Sequence, residues 1–203
     1  MERVARLVAG YFASSGGELL VGGVPVGALA AAHGTPLFAY DGGVLDRKWT
    51  LLRETLPPEF TIAYSVKANP SPRILRHFLA KGSLLEVASA GELRRASEAG
   101  CPPERILFAG PGKSEAELEL ALRHGIREIH AESALELRRI GEIARRLDVR
   151  ARVAIRVNPG MEVQGGAMRM GGKPTPFGVD EESLDTVLDP ILGDPAIDLR
   201  GLH

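Results

Sequence analysis

Residues 62–87 of the chain read IAYSVKANPSPRILRHFLAKGSLLEV, and this stretch decides the fold. It opens with a short apolar run of the length expected for a buried strand, and a second such run begins at Leu84. Between the two runs, four apolar residues fall at helical spacing: Ile74, Leu75, Phe78 and Leu79. The stretch therefore predicts a strand, then a helix, then a second strand.

The same unit recurs along the chain. Strand-like runs begin at Ile62, Leu84, Ile106, Glu128 and Ala151, and the first four starts are 22 residues apart. Strand–helix alternation of this kind predicts a parallel sheet covered by helices, either as a closed barrel or as a doubly wound sheet. We favour the barrel, because no Gly-x-Gly-x-x-Gly turn follows the first strand.

Capping signals support the helices of this repeat. The pattern Ser-x-x-Glu occurs at three predicted helix starts, namely Ser89 with Glu92, Ser114 with Glu117, and Ser133 with Glu136. In such a capping box the serine accepts a hydrogen bond from the third helical N–H, and the glutamate accepts one from the backbone N–H of the serine. Each pair therefore predicts where a helix begins.

The length limits how much of a barrel the chain can form. A complete barrel of this type has eight strands and about 250 residues. The 203 residues hold five strand–helix units, and a sixth strand begins at Leu199. We expect an α/β fold, a (β/α)8 TIM-type barrel truncated after about five complete units and preceded by a short N-terminal segment. The expected division is 1–35 for this segment and 36–203 for the incomplete barrel domain.

The first 60 residues do not share the rhythm of the repeat. Leu19 to Val26 reads as a small hairpin or a bent strand around Gly22-Gly23, and Val26 to His33 as a short helix. Leu37 to Tyr40 is expected to be a strand, and Leu45 to Leu56 a helix.

Composition excludes several classes of protein. Lys and Arg number 25 against 26 Asp and Glu, a balance that gives no reason to expect nucleic acid or an anionic membrane as partner. Cys101 is the single cysteine, so the chain cannot form an internal disulfide. The apolar stretch from Leu19 to Ala32 is too short and too interrupted to span a bilayer, and no signal-peptide pattern precedes it. We expect a cytoplasmic protein.

Reactive groups in such barrels lie at the carboxyl ends of the strands. This rule selects Lys67, Glu86, Ser89, the loop 110–113, His130, Arg156 and Asn158. Lys67 closes an apolar run, and apolar walls in a barrel mouth would favour the neutral amine that a Schiff base needs. From position alone, a surface lysine at a strand end is the alternative. Arg156 lies inside an apolar strand and needs a polar partner. His124 and His130 lack the spacing of metal ligands, so we expect no metal.

A resemblance to a known family rests on several of these motifs. Residues 64–69, YSVKAN, resemble the cofactor-lysine motif of the alanine racemase-like (fold type III) pyridoxal phosphate (PLP) enzymes, in their diaminopimelate, ornithine and arginine decarboxylase branch. Further segments match that branch in the same order: EVASAGEL at 86–93, FAGPGKS at 108–114, RVNP at 156–159 and PFGVD at 176–180. LVGGVPV at 20–26 and TPLFAYD at 35–41 resemble its N-terminal segment.

The resemblance implies a cofactor and site residues. Lys67 would form the internal aldimine with pyridoxal 5'-phosphate, and Arg156 would lie near the cofactor ring. Glu86 and Glu92 match acidic positions near the active site. A histidine in or just after the sixth strand stacks on the cofactor in the family, and His203 is the candidate for that role, two positions earlier than expected. Lys67, Arg156, Glu86 and His203 are thus the predicted cofactor-binding residues, with Lys67 as the catalytic residue.

The resemblance also implies an activity and partners. The expected reaction is decarboxylation of an amino acid, as in the diaminopimelate decarboxylases, through an aldimine at Lys67. The substrate is expected to be a small molecule or a carrier-bound amino acid, and a homodimer is expected for the full-length enzyme. In the family the phosphate-binding loops and a C-terminal sheet domain come later, and residues 1–35 would join that domain. We therefore expect the truncated chain to be inactive alone. The loop from Asn158 to Asp180 is expected to face the substrate. It looks closer to PLP decarboxylases associated with biosynthetic or export clusters, some of which act on carrier-bound acyl groups. Alternatives are an amino-acid racemase of the same fold and a noncatalytic or degenerate PLP-binding relative.

Overall fold

The structure is a computed structural model that describes residues 3–160 and 177–203. The chain divides into two compact units, Met1–Phe60 and Thr61–His203. The division falls after Phe60, whereas the boundary predicted from the sequence, between the N-terminal segment 1–35 and the barrel domain, stays a prediction. Within the described residues, no helix has the length and apolar character needed to cross a membrane.

The first unit contains three helices and a small antiparallel sheet in its described part. Its elements are α1 (Arg3–Tyr11), β1 (Ser14–Ser15), β2 (Glu18–Val21), β3 (Val24–Pro25), α2 (Val26–His33) and α3 (Gly42–Thr55). Strands β2 and β3 pair antiparallel around Gly22-Gly23, which confirms the predicted hairpin. The Asp41 side chain accepts hydrogen bonds from Gly43 and Val44 at the start of α3.

The predicted strand from Leu37 to Tyr40 is wrong. These residues have no regular secondary structure, and Phe38 is 87% exposed. A run of apolar and aromatic residues forms a strand only where a neighbouring strand can pair with it and pack against it. Within the described part of this unit, the three short strands pair only among themselves.

The second unit continues the strand–helix repeat. Its elements are β4 (Ala63–Ser65), α4 (Pro72–Ala80), β5 (Leu84–Val87), α5 (Ala90–Glu98), β6 (Ile106–Phe108), α6 (Glu115–His124), β7 (Glu128–Ala131), α7 (Ala134–Leu147), β8 (Ala151–Ile155), β9 (Val157–Asn158), β10 (Val179–Asp180), α8 (Leu184–Leu192) and β11 (Ile197–Leu202). The five predicted strand starts are confirmed to within one residue. The sixth strand begins at Ile197 rather than Leu199, because Ile197 already pairs with Ala151 of β8.

Six of these strands form one parallel sheet in the order β11-β8-β7-β6-β5-β4. Neighbours in the sheet are also neighbours in the repeat, so the chain advances one strand per unit, as in a barrel. The short strands β9 and β10 form a separate parallel pair beyond the end of β8. Within the described residues the sheet is open, with β4 and β11 at its edges.

The helices begin largely as the capping signals predict. Ser114 and Glu117 form the complete box at α6, with both hydrogen bonds present. At α5 the Ser89 side chain accepts from the N–H of Glu92, but the Glu92 carboxylate accepts from Ala88 instead of Ser89. The box at α7 is likewise half complete, because the Glu136 carboxylate accepts from the residue before its cap.

The core of the second unit lies between the sheet and its helices. It is built from strand residues such as Leu85, Phe108 and Ile155 and helix residues such as Leu93 and Ile140, all at most 1% exposed. Burial of this apolar surface is the main stabilising contribution to the unit. The packed core fixes the strands and therefore the residues at their carboxyl ends.

Candidate active site

Five polar side chains lie at the same edge of the sheet. Lys67 follows β4, Glu86 lies near the end of β5, His130 near the end of β7, Arg156 directly after β8, and His203 directly after β11. Because the strands are parallel, their carboxyl ends share this edge, which is where barrel enzymes assemble their active sites. The sequence prediction of which groups meet there is therefore consistent with the sheet.

Lys67 lies in a single turn of 3-10 helix, Val66–Ala68, at the end of β4. Val66 takes the buried position of this turn and is fully buried, whereas Lys67 is exposed. The predicted strand-end position is thus confirmed. The predicted apolar walls are not formed around Lys67 by the described residues.

The motif residues around Lys67 hold the turn in place. The Tyr64 hydroxyl donates to the carbonyl of Asn69 at 3.3 Å, and the Tyr64 ring stacks on Phe78 with centroids 4.4 Å apart. The Asn69 side-chain oxygen accepts from the N–H of Ser71 at 2.9 Å, which leads the chain into α4. The first and last residues of the Tyr64–Asn69 motif therefore shape the backbone that carries Lys67.

Glu86 is fixed by the neighbouring strand. Ser65 pairs with Glu86 in the register of β4 and β5, and the Ser65 hydroxyl donates to Glu86 Oε1 at 3.1 Å. Glu86 is half-buried. Its carboxylate is thus held at the mouth beside the strand that leads to Lys67.

His203 contacts a second histidine. The centroids of the His203 and His130 rings lie 4.4 Å apart. A hydrogen bond of 2.8 Å joins His130 Nε2 to Glu128 Oε1. His203 is exposed as a residue, but partial burial of its ring, followed by the charges of His130 and Arg156, lowers its pKa, while Glu86 and Glu132 act in the opposite direction. The neutral imidazole is therefore favoured at neutral pH.

Arg156 has the polar partner that its strand position predicts. Its Nη1 donates to both carboxylate oxygens of Glu132 at 3.0 Å, and the guanidinium lies 5.1 Å from the Phe177 ring centroid. The Glu132 side chain is 2% exposed and that of Arg156 is 20% exposed. Sequence reasoning missed Glu132. Its position between the end of β7 and the capping residue Ser133 is the signal that could have indicated a residue at the mouth.

Glu92 and Lys113 do not contribute free groups to this edge. The Glu92 carboxylate accepts from the N–H of Ala88 at 2.7 Å, so it is used at the start of α5. Lys113, in the loop after β6, is buried with an ion pair to Glu136 at 2.8 Å. Asn158 donates to Asp180 at 2.9 Å and joins β9 to β10. Residues 161–176, which make up most of the loop from Asn158 to Asp180 that is expected to face the substrate, lie outside the described residues.

Comparison with known proteins identifies the family. A parallel strand–helix sheet with polar side chains at the carboxyl ends of its strands is the arrangement found in barrel enzymes. Residues 43–203 match the family described as the pyridoxal-dependent decarboxylase, pyridoxal binding domain. The chain belongs to this family, which confirms the resemblance drawn from the motifs.

Individual relatives agree with this assignment. The chain is 41% identical over 176 residues to the L-glutamyl-[BtrI acyl-carrier protein] decarboxylase of Niallia circulans, covering 87% of this chain and 41% of the relative. It is 35% identical over 196 residues to the diaminopimelate decarboxylase of Zymomonas mobilis, covering 94% and 47%. The crystal structure of diaminopimelate decarboxylase from M. jannaschii in co-complex with L-lysine superposes with a TM-score of 0.86 at 27% identity, covering 95% and 46%. The chain thus spans about half the length of the relatives it matches.

Proposed function

We propose that the chain is the lysine-bearing part of a PLP-dependent amino-acid decarboxylase, in which Lys67 holds the cofactor. The observation that carries this proposal is the position of Lys67, exposed directly after β4 at the edge of the sheet. Glu86, Arg156 and His203 lie at the same edge. The family description, which names pyridoxal binding, supports the choice of cofactor.

The side chains at this edge carry chemical groups of the kinds that can bind PLP. The primary amine of Lys67 can bond to the aldehyde of the cofactor once it is neutral. His203, whose pKa is lowered mainly by partial burial of its ring, offers an exposed aromatic ring for packing on an aromatic face. Glu86 and the Glu132-bound Arg156 offer a carboxylate and a cation for polar atoms of the cofactor. PLP, when bound, accepts the electron pair that the departing carboxylate leaves on the substrate Cα.

The substrate in this proposal is an amino acid with a free α-carboxylate. The names of the relatives give two candidates, diaminopimelate and a glutamyl group linked to a carrier protein. We propose further that the complete enzyme is a cytoplasmic homodimer, and that residues 1–35 join a sheet domain that follows the barrel. The phosphate of PLP in such barrels is held by loops after later strands and by a helix N-terminus.

A fusion enzyme tests this function. Residues 1–203 are joined to the part of the Zymomonas mobilis relative that follows the matched region, and CO₂ release is measured with diaminopimelate and with carrier-linked glutamate. We expect CO₂ from one of them, and none from the Lys67→Met fusion. Enantiomer exchange without CO₂ would favour the racemase. PLP binding with neither reaction would favour a noncatalytic relative.

A further inference from the structure

Lys113 is the most buried charged side chain at the mouth edge of the described sheet. Its side chain has 0% exposure, and its ammonium donates to the carbonyls of Gly110 and, at 2.9 Å, His130. The same ammonium forms an ion pair with Glu136 Oε1 at 2.8 Å. Lys113 thereby ties together the loop after β6, the end of β7 and the first turn of α7.

Glu136 connects Lys113 to Glu132. Its Oε2 accepts from the backbone N–H of Glu132 at 2.8 Å, while its Oε1 faces Lys113. Glu132 Oε1 in turn accepts from the backbone N–H of Gly110 at 2.9 Å. The connections form a closed ring, because the same Gly110 supplies its carbonyl to Lys113 and its N–H to Glu132.

Arg156 is attached to this ring through Glu132. One nitrogen of its guanidinium lies 3.0 Å from both carboxylate oxygens. The four charged side chains are two cations and two carboxylates, and none is more than 20% exposed. In such a buried group, removal of one charge leaves its partner uncompensated and poorly solvated.

We propose that Lys113, acting through Glu136 and Glu132, is a positioning residue that fixes the guanidinium of Arg156 at the mouth of the barrel. What Arg156 contacts there rests on the proposed function, whereas its fixation by Lys113 does not. Lys113 touches neither the cofactor nor the substrate in this account. Its role is geometric, since a displacement of about 1 Å at a reacting group can cost 10²-fold in rate.

The test uses the 203-residue chain without cofactor. The rate at which phenylglyoxal modifies Arg156 is measured by peptide mass, well below the unfolding temperature, in wild type and in Lys113→Met. We expect the rate at Arg156 to rise about tenfold in the variant, a change equivalent to ~1.4 kcal/mol. The matched control is Arg123→Met, which removes a cation from an exposed ion pair with Glu119 and should leave the Arg156 rate unchanged.

A double variant separates positioning from stability. Lys113→Met with Glu136→Gln removes both buried charges, so the thermal midpoint should recover relative to Lys113→Met. The Arg156 rate should stay raised, because no ammonium links Gly110 to the end of β7. If Lys113→Met does not fold, the double variant alone carries the measurement. A wild-type Arg156 rate in the folded variants would overturn the proposal.

Failure of this proposal and failure of the proposed function give different results. The modification assay contains no PLP, so its outcome does not depend on Lys67. A raised Arg156 rate in the variants, with no PLP bound at Lys67 in the fusion enzyme, would overturn the function and support the positioning role. An unchanged Arg156 rate, with PLP bound at Lys67, would overturn the positioning role and support the function.

Discussion

The loops that follow β4 and β6 each carry a lysine, and the structure places the two lysines in opposite environments. Lys67 is exposed on a single helical turn, whereas the Lys113 side chain is fully buried, with two carbonyl acceptors and an ion pair to Glu136. Both loops occupy the same place in the strand–helix repeat. The repeat therefore determines which edge a lysine reaches, and the acceptors supplied by neighbouring elements determine whether its amine remains available for chemistry.

The helices after these loops also differ, in the hydrogen bonds that cap their first turns. Ser71 precedes α4 without a side-chain cap hydrogen bond, whereas Ser114 precedes α6 with a complete capping box. Glu117 of that box also accepts from the N–H of Ala90 at 2.8 Å, which links α6 to the start of α5. The loop after β6 is thus fixed at both ends, and the loop after β4 is held mainly through Asn69.

Among the variants that test this difference between the two loops, Lys113→Met should have the largest effect on stability. The variant leaves Glu136 buried without its cation, so the free energy of unfolding should fall by about 3–5 kcal/mol. Chemical denaturation measures the change. Arg123→Met, at an exposed ion pair, should cost only about 0–1 kcal/mol. Equal losses in the two variants would show that Lys113 has no special structural role.

Arg156→Met should reduce activity more than stability. In the fusion enzyme we expect turnover to fall about 10²-fold, because a charged group fixed at the mouth is removed. The stability loss should be smaller than for Lys113→Met, since Glu132 keeps the N–H of Gly110 and Arg156 is partly exposed. Denaturation and CO₂ release measure the two effects. Unchanged kinetics would reduce Arg156 to a structural residue.

Capping gives a smaller difference between the two loops. Ser114→Ala removes the side-chain acceptor at the start of α6 and should cost about 1 kcal/mol of unfolding free energy. The matched variant Ser71→Ala removes a serine without a cap hydrogen bond and should change stability by no more than about 0.5 kcal/mol. Thermal or chemical denaturation of the pair checks the prediction, which a larger loss in Ser71→Ala would contradict.

The smallest effect concerns pH. Hydrogen bonds from the N–H groups of Ala90 and Ser114 lower the pKa of Glu117 from its ordinary value of 4.5. The folded pKa lies below the unfolded value, so this stabilisation is complete above the unfolded value and is lost as pH falls through the folded one. Wild type should exceed Glu117→Gln in stability near neutral pH, and the difference should shrink in acid. If the stability difference between wild type and Glu117→Gln stayed constant as pH falls, the prediction would be contradicted.

The fold was largely predictable from the sequence because the repeat is local. Spacing of apolar runs gave the starts of the five strands, and serine positions gave three helix starts. The strand predicted for Leu37 to Tyr40 is absent because strand formation depends on a pairing partner, which residue propensity does not reveal. The start of β11 was placed late because the pairing of Ile197 with Ala151 depends on strand register.

The candidate site was only partly predictable. Position at a strand end identified Lys67 and Arg156, since that property follows from the repeat. The partnership of Arg156 with Glu132 joins residues 24 apart in the chain, and spacing alone does not specify such a contact. The burial of Lys113 was not predicted, because the groups that surround its ammonium come from three different elements. Long-range polar contacts of this kind require the structure.

Trapping PLP on the fusion enzyme tests directly whether Lys67 holds the cofactor. The fusion enzyme is mixed with PLP and reduced with borohydride, and the peptides from residues 1–203 are mapped by mass for a pyridoxyl group on each lysine. We expect the label on Lys67, its loss in Lys67→Met, and no label on Lys113 in either protein. A label on Lys113, or on Lys48, Lys81 or Lys173 with Lys67 unlabelled, would contradict the assignment of Lys67 as the cofactor lysine.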